Sequence, residues 1–301
     1  MARILTYTAG ANDAGRTAGD VIRREFRLVA HDIARAKYRT ENGITVNGVQ
    51  VMVNRRLAEG DELRVVLANE LPGKIVPVPG PLAVLYEDED MLAVDKPAGV
   101  VVHPSHGHFA DTLANYVAQY YINEGDPHEV RTVGRLDKDT SGVLLFGKNR
   151  TACAHLTEQA ACGLSEKTYL ALASGTFPGE EGTVEAPISR EYEEKIRRVV
   201  REDGDHALTH YRVLRQMEDR ALLSVRIETG RTHQIRVHMA HIGHPLVGDP
   251  IYGTASEVIR RAALHARRLV CRQPFTGERI VLESPLPEDF LRALGPDAPD
   301  F

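Results

Sequence analysis

A run of prolines and glycines divides this chain of 301 residues. Between Leu71 and Pro81 fall Pro72, Gly73, Pro77, Pro79, Gly80 and Pro81. Each proline removes a backbone donor and fixes φ, so neither a helix nor a central strand can run through them. The stretch, residues 71–81, therefore reads as a linker between a front unit at residues 14–70 and a larger unit at residues 82–290. The first is long enough for one small core and the second for a sizeable one.

The apolar period sets the elements of each unit. Ala18, Val21, Ile22 and Phe26 recur at helical spacing between Thr17 and Arg27. A second short helix is predicted over His31–Lys37, with Ala30, Ile33 and Ala34 on one side. The pattern then turns β-rich from Ile44 to Val51, around Asn47-Gly48, a strong two-residue hairpin signal. A turn at Gly60-Asp61 leads into a strand over Glu62–Leu67. Past the linker, Leu82–Tyr86 and Met91–Asp95 read as a hairpin-like pair. Further strands are predicted at Gly142–Gly147, Lys167–Ser174, Thr209–Arg215, Ala221–Glu228 and Arg279–Glu283, and helices at Asp111–Ile122, Arg150–Ala161 and Thr232–Ile242. Strands cluster without a regular βαβ alternation, so the fold class is α+β with a mostly antiparallel sheet. The segment from Gly295 to Phe301 reads as a loose tail.

Composition excludes several classes. No apolar run reaches the ~20 residues of a membrane span, and the first residues lack the pattern of a signal peptide. Cys153, Cys162 and Cys271 are odd in number and form no CxxC pair, so neither a disulfide framework nor a zinc ribbon is indicated, and a reducing cytoplasm fits best. The net charge of −5 argues against a simple basic nucleic-acid binder. Charge is uneven, however. From Arg16 to Thr40 seven Lys/Arg face three acids, 7 − 3 = +4. Arg260, Arg261, Arg267 and Arg268 form a second basic cluster around His265. Either cluster reads as a phosphate-attracting patch or as a solvated face.

Three stretches could carry chemistry. Gly134-Arg135-Leu136-Asp137-Lys138-Asp139-Thr140-Ser141-Gly142 packs two carboxylates and two cations ahead of an apolar strand. It reads as a reactive loop, a metal site or a solvated turn. In Gly230 to Met239, a helix opened by Thr232 would put His233, Arg236 and Val237 on one face and offer its N-terminus to a phosphate. In Glu166-Lys167-Thr168-Tyr169, strand geometry aims Lys167 and Tyr169 to one side, into one cleft or along an amphipathic edge. The histidines at 103, 106, 108, 233, 238, 241 and 244 match no stereotyped zinc spacing.

Taken together and in order, these blocks resemble the RluA family of pseudouridine synthases. The resemblance rests on Val94-Asp95-Lys96-Pro97-Ala98-Gly99, Gly134–Gly142, Lys167-Thr168-Tyr169, and Gly230–Met239 followed by Gly243–Asp249. It covers roughly residues 82–290 as a catalytic domain. The front, through Ile44–Gly48 and Leu57–Leu63, resembles the S-four-type RNA-binding domain that often precedes this enzyme. The family usually carries His where Gly134 stands, a feature closer to the related RsuA branch, which puts in doubt a His contact to the flipped nucleotide. The resemblance implies isomerisation of uridine to pseudouridine in structured RNA, without metal or cofactor. Asp137 matches the catalytic carboxylate, Arg236 its buried partner, and Tyr169 a residue that stacks on the base and moves a proton. Arg135 matches a side chain that fills the gap left by an extruded base. RNA contacts are expected at Arg135, Lys167, Arg231 and His233 around the site, and at Arg23, Arg24 and Arg27 in the front unit. Large-subunit ribosomal RNA is the expected substrate, with transfer RNA and a non-catalytic ribosome-assembly role as alternatives, and the expected state is a monomer.

Overall fold

The computed structural model describes residues 2–68, 73–192 and 196–295. Leu71 and Pro72 of the linker, and the tail beyond Gly295, lie outside the described residues.

The front unit is a four-stranded sheet with two helices: β1 (Arg3–Thr8), α1 (Ala18–Glu25), α2 (Ala30–Arg39), β2 (Ile44–Val46), β3 (Val49–Gln50) and β4 (Glu62–Leu67), in sheet order β1-β4-β2-β3. β1 lies ahead of residue 14 and pairs along β4. Thr17 caps α1 through a reciprocal box with Asp20, which explains why the helix begins where it does. Asn47 and Gly48 both take positive φ, 50° and 79°, as a primed hairpin turn requires. Leu5, Val21, Ile22, Phe26, Ile44, Leu63 and Val65 fill a core separate from that of the larger unit.

The larger unit continues with β5 (Ala83–Glu87), β6 (Met91–Lys96), α3 (Leu113–Asn123), β7 (Thr132–Val133), β8 (Ser141–Gly147), α4 (Arg150–Ala161), β9 (Glu166–Ser174), β10 (Glu181–Glu185), β11 (Ile188–Arg190), β12 (Arg198–Val200), β13 (Leu208–Gln216), β14 (Arg220–Ile227), α5 (Gln234–His241), β15 (Leu264–Arg272), β16 (Arg279–Glu283) and α6 (Glu288–Leu294). Its ten-stranded sheet runs β10-β13-β14-β9-β15-β8-β6-β5, with β16 on β15 and β7 on β8. All the pairings are antiparallel except β15 on β8. The strands are apolar on both faces because both are covered. In β8, Leu144 and Phe146 face the core that α3 and α5 close, while Val143 and Leu145 face the layer of Leu156 on α4.

One expectation changes. The second basic cluster is not a solvated face but lies in and beside β15, a central strand. Arg261 forms a two-bond pair with Asp289, and Arg267 and Arg268 meet Glu283. The linker is held against the larger unit. Asn115 on α3 donates to Val76 O at 2.7 Å, Val78 N–H donates to Asn115 O, and Ile75 and Leu82 pack on the main core.

The two units also meet directly. Asp32, buried on α2, accepts from Thr151 N–H (3.1 Å) and Oγ1–H (2.6 Å) at the start of α4. Val29 N–H reaches the same hydroxyl, and Phe275 packs against the front core. No helix among the described residues is long and apolar enough to cross a membrane.

Candidate active site

Asp137 sits in the tight turn between β7 and β8, closed by Thr140 N–H on Asp137 O at 3.1 Å. The turn is held from beneath by its carbonyls. Lys96, fully buried, donates to Pro97 O, Val100 O and Lys138 O at 2.7–2.9 Å. Burial pulls the Lys96 ammonium down to about 7, yet three carbonyls match its three N–H donors. Arg261 donates to Asp139 O, and Gly99 N–H to Lys138 O. Under Ser141 runs a buried polar chain. The Ser141 hydroxyl meets His265 Nδ1 at 2.9 Å, His265 Nε2 faces Ser284 O, and Ser284 Oγ–H donates to Asp95. Burial brings the His265 imidazole down to about 4, so it is neutral. Gly142 is required where β8 passes β15: its φ is +114°, and a Cβ there would stand 2.3 Å from Ala266 O.

The second wall is the start of α5. The helix begins at Gln234 rather than Thr232, because His233 takes the left-handed conformation (φ 58°, ψ 18°). The Gln234 side chain ties this strained entry down. Its oxygen accepts from Thr229 Oγ1 and Arg231 N–H, and its amide donates to Leu208 O and Thr209 Oγ1. The expected shared face therefore does not form. His233 precedes the helix, Val237 packs with Ile188 and Ala207, and Arg236 turns into the site.

Arg236 is shared between two carboxylates. Its Nε and Nη2 donate to both oxygens of buried Asp249, at 2.7 and 2.8 Å. Nη1 stands 3.8 Å from Asp137 Oδ2. Burial disfavours the Arg236 charge, but the Asp249 bonds and both carboxylate charges outweigh it and hold the pKa above the ordinary value. Burial likewise pushes Asp249 up, and Arg236 overrides it to leave Asp249 ionised. Tyr252 completes the cluster, its ring 5.2 Å from the Arg236 guanidinium and its hydroxyl 2.9 Å from His233 Nδ1.

One cavity is lined by Arg135, Asp137, Thr140, Tyr169, Arg231, His233 and Gln234. Asp137 and Tyr169, on separate elements, therefore face one cavity, and Arg236 stands 3.8 Å from Asp137. Burial and the Asp137 charge push the Tyr169 phenol above its ordinary range, so it is an O–H donor and not a base near neutrality. Arg135 at the rim donates to Thr232 Oγ1. Arg231 donates to His206 O and faces Asp205. Lys167 does keep its ammonium over the Tyr169 ring, 5.9 Å away, but lines a neighbouring cavity that shares Ile227 with the first. The expectation of one common cleft for the two is corrected accordingly. Burial lowers Lys167 to about 8.

The front arginines are not bare cations and lie on the other unit. Arg23 pairs with Asp20, Arg24 with Asp13 and Glu25, and Arg27 with Glu158 on α4. Gly134 has φ +73° and open space around it, so a backbone turn rather than crowding favours glycine. Among the described residues no group of three or more His, Cys, Asp or Glu is gathered as metal ligands. His103 meets Thr132, His108 meets Asp111, and His238 sits between Thr209 and Ala186 O. Sequence reasoning gave no role to Asp249, Tyr252 or Gln234. The signal for Asp249 was there, inside the Gly243–Asp249 block.

Comparison with known proteins gives the class of protein to which this sheet, turn and buried cation belong. Residues 90–241 match the family model described as RNA pseudouridylate synthase. The uncharacterized RNA pseudouridine synthase YhcT of Bacillus subtilis is 41% identical over 82% of each chain. The ribosomal large subunit pseudouridine synthase D of Pseudomonas aeruginosa is 39% identical, again over 82% of each. The solved human RNA pseudouridylate synthase domain containing 1 superposes with a TM-score of 0.57 at 28% identity, covering 70% of this chain and 86% of that one. This chain belongs to the RNA pseudouridylate synthase family, on its RluA side, and is an RNA pseudouridine synthase.

Proposed function

We propose that the substrate is large-subunit ribosomal RNA and that Asp137 is the catalytic carboxylate. The carrying observation is that Asp137 and Tyr169 line one cavity, with the buried Arg236 guanidinium 3.8 Å from Asp137. The reaction breaks the bond from ribose C1′ to uracil N1 and joins C1′ to C5, with loss of the C5 proton and gain of a proton at N1. It is redox-neutral and needs an anionic group at the sugar or base, a neutral donor, and a means of holding the base out of its stack. Asp137 supplies the first with a guanidinium 3.8 Å away. Tyr169 supplies the second and a ring on which the base can stack. Arg135, at the cavity rim, is the side chain to enter the space the base leaves, while Arg231 and His233 line the wall and Lys167 the adjoining groove.

The choice of RNA is supported by the relatives from Pseudomonas aeruginosa, Xanthomonas campestris and Nitrosomonas europaea, each titled a ribosomal large subunit pseudouridine synthase D. We assign the front unit, residues 14–70 with β1 as an added edge strand, as an S-four-type RNA-binding domain, and residues 82–290 as the catalytic domain. Arg23, exposed on α1, is its first RNA contact, with Arg24 and Arg27 as further contacts that RNA must win from their ion pairs. The enzyme acts as a monomer.

The test is chemical mapping of pseudouridine across ribosomal and transfer RNA from cells with and without the gene. The expected result is loss of the mark at one or a few large-subunit uridines, restored by the wild-type gene and not by Asp137→Asn. Loss confined to transfer RNA would replace the substrate. Restoration by Asp137→Asn would remove Asp137 from the chemistry.

A further inference from the structure

His233 is buried at the cavity wall on a left-handed backbone, a conformation that costs strain for a residue with a side chain and persists where the surroundings hold it. What is held there is an imidazole with two unlike nitrogens. Nδ1 lies 2.9 Å from Tyr252 Oη. The ring lines the cavity with Asp137 and Tyr169, and its Nε2 bonds no group among the described residues. Burial pulls the His233 pKa below its ordinary value, against the opposing charge of Asp137, so near neutrality the ring carries one proton. Tyr252 decides which nitrogen holds it. Its oxygen accepts from Arg198 N–H at 2.8 Å. The phenol proton needs an acceptor in turn, and among the described residues the one it meets is His233 Nδ1. Nδ1 therefore accepts, and the ring proton sits on Nε2.

The reaction has a use for such a donor. Breaking the bond from C1′ to N1 leaves the bonding pair on the uracil, shared among N1 and the two carbonyl oxygens. An ionised Asp137 accepts only and repels that charge, whereas an N–H aimed at a carbonyl oxygen stabilises it. We propose that His233 is a catalytic donor, its Nε2–H bonding a uracil carbonyl oxygen as charge builds there, and that Tyr252 is the positioning residue that fixes this tautomer. No proton leaves His233 in the step. The proposal rests on the reading of the Asp137 cavity as the uridine site and adds to it a group that acts on the base. Tyr252 is itself steadied by the Arg236 guanidinium 5.2 Å from its ring, so the cation beside Asp137 and the donor at His233 share one support.

The test joins a spectrum to a rate. Full-length protein labelled with nitrogen-15 at histidine is examined near neutral pH by long-range proton–nitrogen correlation, with the His233 signals assigned by their loss in His233→Gln. Nδ1 should be pyridine-like and Nε2 pyrrole-like. Tyr252→Phe keeps the ring beside Arg236 and removes only the hydroxyl, and it should turn the single tautomer into a mixture. A pyrrole-like Nδ1 in the wild-type protein overturns the proposal, and an unchanged spectrum in Tyr252→Phe removes Tyr252 from it. Single-turnover rates at saturating RNA are then measured on total RNA from cells lacking the gene, which holds the unmodified target whatever its class. Tyr252→Phe should slow the reaction roughly tenfold, the worth of one hydrogen bond, with Kd for RNA unchanged. His233→Leu should slow it about a hundredfold, and His233→Gln, whose amide can donate, should recover at least about tenfold of that loss. A His233→Leu rate equal to wild type, or no recovery in His233→Gln, overturns the donor role. No mark made by the wild-type protein on this RNA would instead sink the reading of the cavity, and the proposal with it.

Discussion

Asp249 and Asp137 share one guanidinium unequally. Asp249 holds the two-bond side and is fully buried, whereas Asp137 meets the remaining nitrogen at 3.8 Å from the cavity wall. Removing each should therefore do different damage. Asp137→Asn should lower turnover by at least about a thousandfold, with RNA binding kept within a few-fold and stability changed by less than about 1 kcal/mol. Single-turnover assays and urea unfolding would check it. Asp249→Asn strands a buried cation and should cost roughly 3 kcal/mol of stability, with turnover falling as Arg236 swings toward Asp137. Equal unfolding midpoints for the two variants would contradict this division. His265 gives a pH prediction. Its pKa is about 4 when folded, against about 6.5 when unfolded, so the unfolded chain binds the extra proton between those values. The stability this group contributes is complete above pH ~6.5 and is lost as pH falls toward ~4, about 3 kcal/mol in all. His265→Gln should show a shallower acid loss in denaturant titrations over that window.

At the scale of elements, the loop bearing Asp137 depends on the parallel contact of His265 and Ala266 against Ser141 and Gly142. Gly142→Ala should force these strands apart, costing roughly 2 kcal/mol or more and lowering kcat. Amide exchange in β8 and β15 would report it. Much of this architecture was legible beforehand. The helical spacing of Val21 and Ile22, the Asn47-Gly48 turn and the apolar runs of β8, β9 and β14 each answer to local rules. β15 was hidden because Arg267 and Arg268 interrupt its apolar pattern and take Glu283 as a partner across the sheet. The β11–β12 hairpin was hidden because its strands are three residues each and carry arginines. Asp137, Tyr169 and Arg236 could be named from motif order, but the partition of Arg236 with Asp249 could not. It depends on a fold that brings α5 against the segment after it.

At the scale of the molecule, the front unit rests on α4 through Asp32 and Thr151, at a fixed place relative to the cavity. Asp32→Ala leaves the Thr151 N–H and hydroxyl without their acceptor and should cost about 1–3 kcal/mol of docking. Faster hydrogen exchange at Thr151 and Val29 would show it, and Asp20→Ala should leave both unchanged. The exposed Arg27–Glu158 pair adds little by comparison. Arg23→Ala should reduce the salt dependence of RNA binding by about one phosphate contact, and an unaltered slope would take α1 off the RNA path. The polar chain beneath the Asp137 turn links Ser141 to His265 and Asp95 to Ser284, across 124 and 189 residues of sequence. During synthesis the turn thus emerges long before the groups that brace it. A growing chain carries its motif but no working site until nearly the last strand has left the ribosome.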